Sequence, residues 1–367
     1  MPANKPPFDG EWVRLNQLCM KGRSALRQKD LIDDGPYAVY GASGIIGSMS
    51  TFQNGARYVA VVKDGAGVGR ANLCSARTSV LGTMQALIPT EMVLPEYLLH
   101  LIRAMRLGDG FSGSTIPHIY FKDYGQRLVR YVSMADQERI VGMLGSIEDQ
   151  IDILHRQNER LDTLVKSRFV EMFGDPATNS HDLPIERLSD LGVLERGKSK
   201  HRPRNAPELR GGPDGPYPLV QTGDIANAGL YLNTYNDTYT ELGLRQSKMW
   251  PKGTLCITIA ANIAQTTILA IDACFPDSVV GFTSGRTIQN VFLHYWFSFF
   301  QSILEEQAPR AAQKNINLRI LSDLGVITPS IERQQEFASF VAEVDKSRFN
   351  LLKAYGSIIA LFRVLFP

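Results

Sequence analysis

The side chains in this chain best suited to chemistry are cations and amides held in turn-rich segments. Arg196 to Arg204 reads RGKSKHRPR and sets Arg196, Lys198, Lys200, Arg202 and Arg204 in one run without an acid. Lys21 and Arg23 flank Gly22 earlier in the chain, and Lys63 and Arg70 bracket the cluster Gly65, Gly67 and Gly69. Such cations could neutralise phosphates, a contact that gives salt-dependent affinity without reading sequence. A solvated loop is the plain alternative. A second group can hydrogen-bond base edges, where Arg suits guanine and Asn or Gln suits adenine. It comprises Ser112, Ser114, Thr115 and His118 in one loop and Arg310, Gln313, Lys314 and Asn315 in a later loop of matching position. Gln221 and Thr222 join this group, although their Thr-Gly-Asp run could simply form a turn.

Catalysis finds no comparable support. The glycine cluster follows a strand-like segment, but its spacing is GxGxG rather than GxGxxG, and no helix opens behind it. A turn, or a close backbone approach to DNA, fits better than a cofactor fingerprint. Neither a GxxxxGK[ST] phosphate loop nor the Asp/Asn-Pro-Pro-aromatic tetrapeptide that holds a flipped adenine occurs. The six histidines are scattered, with no Ser/His/Asp grouping. Cys19, Cys74, Cys256 and Cys274 stand far apart and make neither a disulfide framework nor a zinc site. No catalytic residue, metal or cofactor is therefore expected in this chain.

Composition is that of a globular protein: 367 residues, 44% hydrophobic and 21% charged, with a net charge of only +2. Any DNA surface must come from local segregation of charge. The amino terminus, MPANKPPFDGEW, lacks a signal-peptide core, and no apolar run approaches the roughly 18 residues needed to span a bilayer. Val291 to Leu304, short and aromatic, reads as a buried helix. The expected location is the cytoplasm.

The elements that must position these side chains are written twice. Gly35-Pro36-Tyr37 returns as Gly215-Pro216-Tyr217, Ser79-Val80-Leu81-Gly82 as Ser278-Val279-Val280-Gly281, and Leu99-His100 as Leu293-His294. Leu15 matches Leu188 and Gly22 matches Gly197, so order is kept while spacing drifts, as in a duplicated domain with loop insertions. Residues 1–134 and 177–330 are the two globular copies. Arg57 to Val62 reads as a strand, and Leu94 to Leu107 as a helix with Pro95 in its first turn and Leu98, Leu101, Ile102 and Met105 on one face.

Each copy ends in a heptad pattern, over 135–173 and 331–367. The first seam is Ile140, Leu144, Ile147, Ile151, Leu154, Asn158, Leu161, Val165 and Met172, with Arg168 breaking it. The second is Phe337, Val341, Val344, Leu351, Tyr355, Ile358, Phe362 and Leu365, broken by Arg348. A narrow seam of this kind wants a partner helix, and a polar Asn158 within it suits a register key. Gly174-Asp175-Pro176 stops the first helix. Helices of this length span roughly 50 to 60 Å, about one and a half turns of B-DNA.

This ordered set resembles the specificity subunit of type I restriction-modification systems over essentially the whole chain. The residues that carry the likeness are Trp12-Val13-Arg14-Leu15, Gly113 to Ile119, Gly215-Pro216-Tyr217-Pro218 with Thr222-Gly223-Asp224-Ile225, and Lys166 to Phe169 with Met172-Phe173-Gly174. The segments around Gln137 and Gln334 that lead into the long helices add to it, although the first, Tyr131 to Met134, lacks the proline usual there while the second keeps Pro329. The resemblance implies two mixed α+β recognition domains joined by two long helices in an antiparallel coiled coil. It implies a non-catalytic reader of double-stranded DNA, each domain binding one half of a bipartite asymmetric target while the helices set the spacer. It implies as partners two methyltransferase subunits and, when present, the restriction and motor subunits; S-adenosylmethionine, ATP and Mg would belong to those partners. A coiled-coil scaffold, or the specificity subunit of a related DNA-modifying defence system, are the alternatives.

Overall fold

A computed structural model describes residues 8–110, 117–200, 203, 206–260, 263–299 and 316–365, without the side chains of 352 and 354–365. The chain divides into two compact units, residues 1–155 with 352–367 and residues 156–351. Mixed α/β architecture holds in each.

In the first unit, strand β1 (Glu11–Arg14) pairs antiparallel with β9 (Leu128–Tyr131), bringing the two ends of the globular part together. A four-stranded sheet runs β2 (Cys19–Lys21), β8 (Met84–Pro89), β5 (Tyr58–Val62), β6 (Ala71–Cys74), and a smaller one runs β4 (Gly44–Met49), β3 (Tyr37–Gly41), β7 (Ser79–Val80). The Tyr58–Val62 run is buried along its whole length because both faces of its strand are covered. Val59 and Val61 pack with Leu98, Leu101 and Ile102 of the helix Pro95–Ala104, while Tyr58, Ala60 and Val62 pack with Val80, Met84 and Ala86.

The second unit follows a corresponding order with one further strand at an edge of each sheet. Here β10 (Ile185–Arg187) pairs with β20 (Gly325–Ile327), and a five-stranded sheet runs β11 (Gly192–Arg196), β19 (Val279–Ser284), β16 (Leu255–Thr258), β17 (Thr266–Leu269), β13 (Tyr231–Leu232). The smaller sheet runs β14 (Asp237–Tyr239), β12 (Tyr217–Leu219), β18 (Ala273–Cys274), β15 (Met249–Trp250). Tyr37 and Tyr217 each open a strand with one antiparallel and one parallel neighbour.

Two sequence matches sit elsewhere in this frame. Ser79 and Val80 pair with Val39 and Tyr40 in the small sheet, whereas Val279 to Gly281 lie in the large one beside Cys256 to Thr258. The register of the large sheets likewise makes Lys21, opposite Leu87, the counterpart of Leu194, opposite Phe282, and Arg23, two residues on, the counterpart of Arg196, so Gly22 and Gly197 are not equivalent. Short motifs slipped because the second unit carries insertions that identity alone does not locate.

The long helices are Met134–Phe173 and Ile331–Leu365. Ile140, Leu144, Ile147, Val165, Phe337, Val341 and Val344 are buried, and Ile151, Leu154, Asn158, Leu161 and Leu351 are half-buried among exposed neighbours. The side chains of Tyr355, Ile358 and Phe362 lie outside the described residues. Part of each seam closes on its own globular core: Ile140 and Leu144 join the cluster of Leu98 and Ile102, and Phe337 lies 5.4 Å from Tyr295. Within the second unit, Phe169 and Phe173 lie 5.4 and 5.6 Å from Phe337, and Arg168 meets Glu336 while Asp162 meets Arg348. Those stretches therefore run in opposite directions. Gly174 ends the first long helix at φ +76°, where a Cβ would lie 2.6 Å from Ser180 Oγ. The Val291 to Leu304 helix is observed as Asn290–Phe297, with residues 300–304 outside the description. Among the described residues no helix is long and apolar enough to cross a membrane.

Candidate nucleic-acid interface

In the first unit, Lys21 and Arg23 are exposed at the end of β2. Arg23 is anchored through its backbone: its N–H donates to Asn54 Oδ1, and Asn54 Nδ2 donates back to the Arg23 carbonyl, both at 3.2 Å. Asn54 is 4% exposed, and a Cβ on Gly22 would lie 2.8 Å from its Oδ1, so glycine permits this approach. Asn54 in turn exchanges backbone hydrogen bonds with Thr78, at 3.0 and 3.2 Å. The exposed Arg23 side chain thus stands on a fixed support.

The glycine cluster is a turn. Gly65 and Gly69 take φ +92° and +85°, and a Cβ on Gly69 would lie 2.3 Å from the Gly108 N. The close approach expected there is made to the protein's own backbone. Arg70 folds back, its Nε donating to the Gly67 carbonyl at 3.4 Å, while Lys63 is half-buried with its backbone tied to Thr83 and Ile119. His118 Nδ1 lies 2.7 Å from Asp64 Oδ1, which engages this candidate base reader with an intramolecular carboxylate. Ser112, Ser114 and Thr115 lie outside the described residues.

In the second unit, the basic run begins on β11 and is less cationic than its sequence. Lys198 Nζ is 3.2 Å from Glu195, whose carboxylate also accepts from Lys248; these bonds, Lys248 first, hold Glu195 below the usual carboxylate range. The acid stands one residue before the run, and strand geometry with the Lys198 side chain bending back closes the pair. Lys248 also lies 4.9 Å from the ring of Trp250, which stacks on Phe275 at 3.9 Å. Arg196 Nε donates to the Asp277 carbonyl, and Lys200 is exposed. Arg202 and Arg204 lie outside the described residues, as do Arg310, Gln313, Lys314 and Asn315.

The Thr-Gly-Asp run forms a helix, Thr222–Asn227, rather than a simple turn. Gln221 caps it, its N–H donating to Asp224 Oδ2 at 2.8 Å. The bond engages only the Gln221 backbone, and the Gln221 side chain is exposed.

Two residues that motif reading treated only as landmarks organise both units. Gln137 is fully buried; its Oε1 accepts from the Leu94 N–H at 2.9 Å, and its Nε2 donates to the carbonyls of Met92 at 2.9 Å and Val132 at 3.0 Å. Gln334, equally buried, accepts from Gln289 N–H at 2.9 Å and donates to Thr287 at 2.9 Å and Pro329 at 2.8 Å. Each carboxamide ties the first turn of a long helix to the start of the helix Pro95–Ala104 or Asn290–Phe297. Leu94 and Gln289 are thereby equivalent, which moves the partner of His100 from His294 to Tyr295. Among the described residues no group of His, Cys, Asp and Glu could hold a metal ion.

A family model, the type I restriction modification DNA specificity domain, matches residues 186–356. The fold is similar to that of the S subunit of a type I restriction-modification system from M. genitalium, with TM-score 0.59 and 15% identity over 99% of this chain and 96% of that one. It is similar also to a chain from a structural study of complex assembly and conformational transition of the type I R-M system, with TM-score 0.56 and 15% identity over 100% of this chain and 98% of the other.

Proposed function

We propose that this chain is a DNA specificity subunit of a type I restriction-modification system, a reading that the family match over residues 186–356 and the similar fold of a type I S subunit support. Residues 1–134 and 177–330 are duplicated recognition domains that each bind one half of a bipartite, asymmetric duplex target. The helices over 135–173 and 331–367 pair as an antiparallel coiled coil, fix the unread spacer between the halves and recruit two methyltransferase subunits. Adenine methylation with S-adenosylmethionine, and cleavage with ATP and Mg when restriction subunits are present, belong to those partners; this chain is the non-catalytic reader and works in the cytoplasm.

The observation that carries the reading is the matched use of Gln137 and Gln334, each joining a long helix to a globular unit with a corresponding strand order. Two like readers on like helical stems suit a target with two half-sites. The test is genome-wide detection of methylated adenines in cells carrying the chain with its partner subunits. A split motif with two halves and a constant spacer is expected. Methylation by the isolated chain with S-adenosylmethionine, or duplex binding that ignores salt concentration, would overturn the proposal.

A further inference from the structure

We propose that Arg77 is a base-reading residue of the first unit, poised to pair with a guanine in one half of the target; this rests on the DNA-binding function proposed above. Arg77 is exposed in the connection between β6 and β7, and its backbone sits at φ +58°. That left-handed conformation is unfavourable for a long side chain and persists only where surrounding structure holds it. The holding contacts are present. Thr78 Oγ1 donates to the Ser75 carbonyl at 2.6 Å, pinching the turn, and the fully buried Tyr58 hydroxyl lies 3.0 Å from the same Oγ1. The Asn54–Thr78 bridge secures its other side.

The side chain is held as firmly as the backbone. Its guanidinium carbon lies 5.1 Å from the centre of the Tyr37 ring and 5.4 Å from that of Phe52, two rings that meet edge-on at 5.0 Å and 66°. Nη2 donates to the Tyr37 hydroxyl at 2.5 Å. Both rings lie against the guanidinium, and one of its five N–H donors is spent on Tyr37. Among the described residues it has no carboxylate partner.

A preorganised planar fork suits the two acceptors of a guanine edge, O6 and N7, more than it suits a phosphate, for which an unrestrained cation suffices. Asn54 also connects this turn to the Arg23 backbone, so a phosphate contact and a base contact would arise from one supported surface.

The test compares methylation motifs, genome-wide, for the full complex with the parent chain, Arg77→Lys and Arg77→Gly. Lysine keeps the charge and loses the fork; glycine accepts φ +58° without strain and removes the side chain, so loss of folding does not obscure the result. Both variants should relax one guanine position in one half-site, with discrimination there falling roughly five- to hundred-fold, and leave the other half unchanged. An unchanged motif, a half-site pair without any guanine, or a uniform loss of methylation that Lys restores would overturn the assignment, the last marking Arg77 as a phosphate contact. Absence of any split motif with the parent chain would instead overturn the proposed function itself.

Discussion

Arg348 Nη1 lies 2.7 Å from Asp162 Oδ1, joining the second long helix to the first. Arg168 makes the reciprocal contact with Glu336 at 3.0 Å. Both arginines occupy seam positions where an apolar residue is expected, and each reaches across to an acid on the facing helix. Because Asp162 is 53% exposed, the pair contributes modestly. A double-mutant cycle on Arg348→Ala and Asp162→Ala, read by urea denaturation, should give a coupling of about 0.5 to 1 kcal/mol. Exchanging the two charges should recover part of it. Strictly additive single effects would mean that the contact has no energetic role.

Replacing Gln334 or Gln137 by Ala should destabilise the chain by about 3 kcal/mol, since either change leaves one buried N–H and two carbonyls without their partner. Glu at the same position keeps the acceptor and loses both donated bonds, so it should not rescue. Denaturation midpoints check this; a loss below about 1 kcal/mol would show that the carboxamides are replaceable by water.

His294 is half-buried with Nδ1 3.0 Å from Thr266 Oγ1, and desolvation pulls its pKa from 6.5 down to about 4. Between those values the unfolded chain binds the proton and the folded one does not. Stability is therefore complete above about pH 6.5 and falls as pH drops towards 4, by up to about 3 kcal/mol from this group. Burial shifts His100 in the same direction. The fall should be shallower in His294→Asn. Parallel pH profiles for parent and variant would clear His294 of this role.

Inserting one heptad at matched points of both long helices should lengthen the preferred spacer between half-sites, each added residue contributing 1.5 Å of rise. Asn158→Leu should loosen helix register, because it removes the half-buried polar position of the seam. Methylation motifs of the full complex report both effects. A spacer that stays constant after insertion would refute the ruler.

Local patterns in the sequence carried the long helices. Seam positions from Ile140 to Val165 are buried or half-buried where a seven-residue period sets them, and Gly174 ends the helix as a glycine at positive φ should. Periodicity and cap chemistry are properties of neighbouring residues, so they are readable without a fold. The Tyr58–Val62 strand and the buried helix from Asn290 were readable for the same reason.

Tertiary structure decided which charges are already engaged. Lys198 is answered by Glu195, and His118 by Asp64, 54 residues away, so neither side chain has the freedom its loop suggested. It also decided that Arg77, which no motif marks, is caged by Tyr37 and Phe52 from separate segments, and that Arg168 and Arg348 link helices instead of breaking a seam. Apart from Lys198 with Glu195, which are three residues apart, these are pairings between residues distant in sequence. Their partners are chosen by packing, which acts on the folded chain and leaves no local period to read.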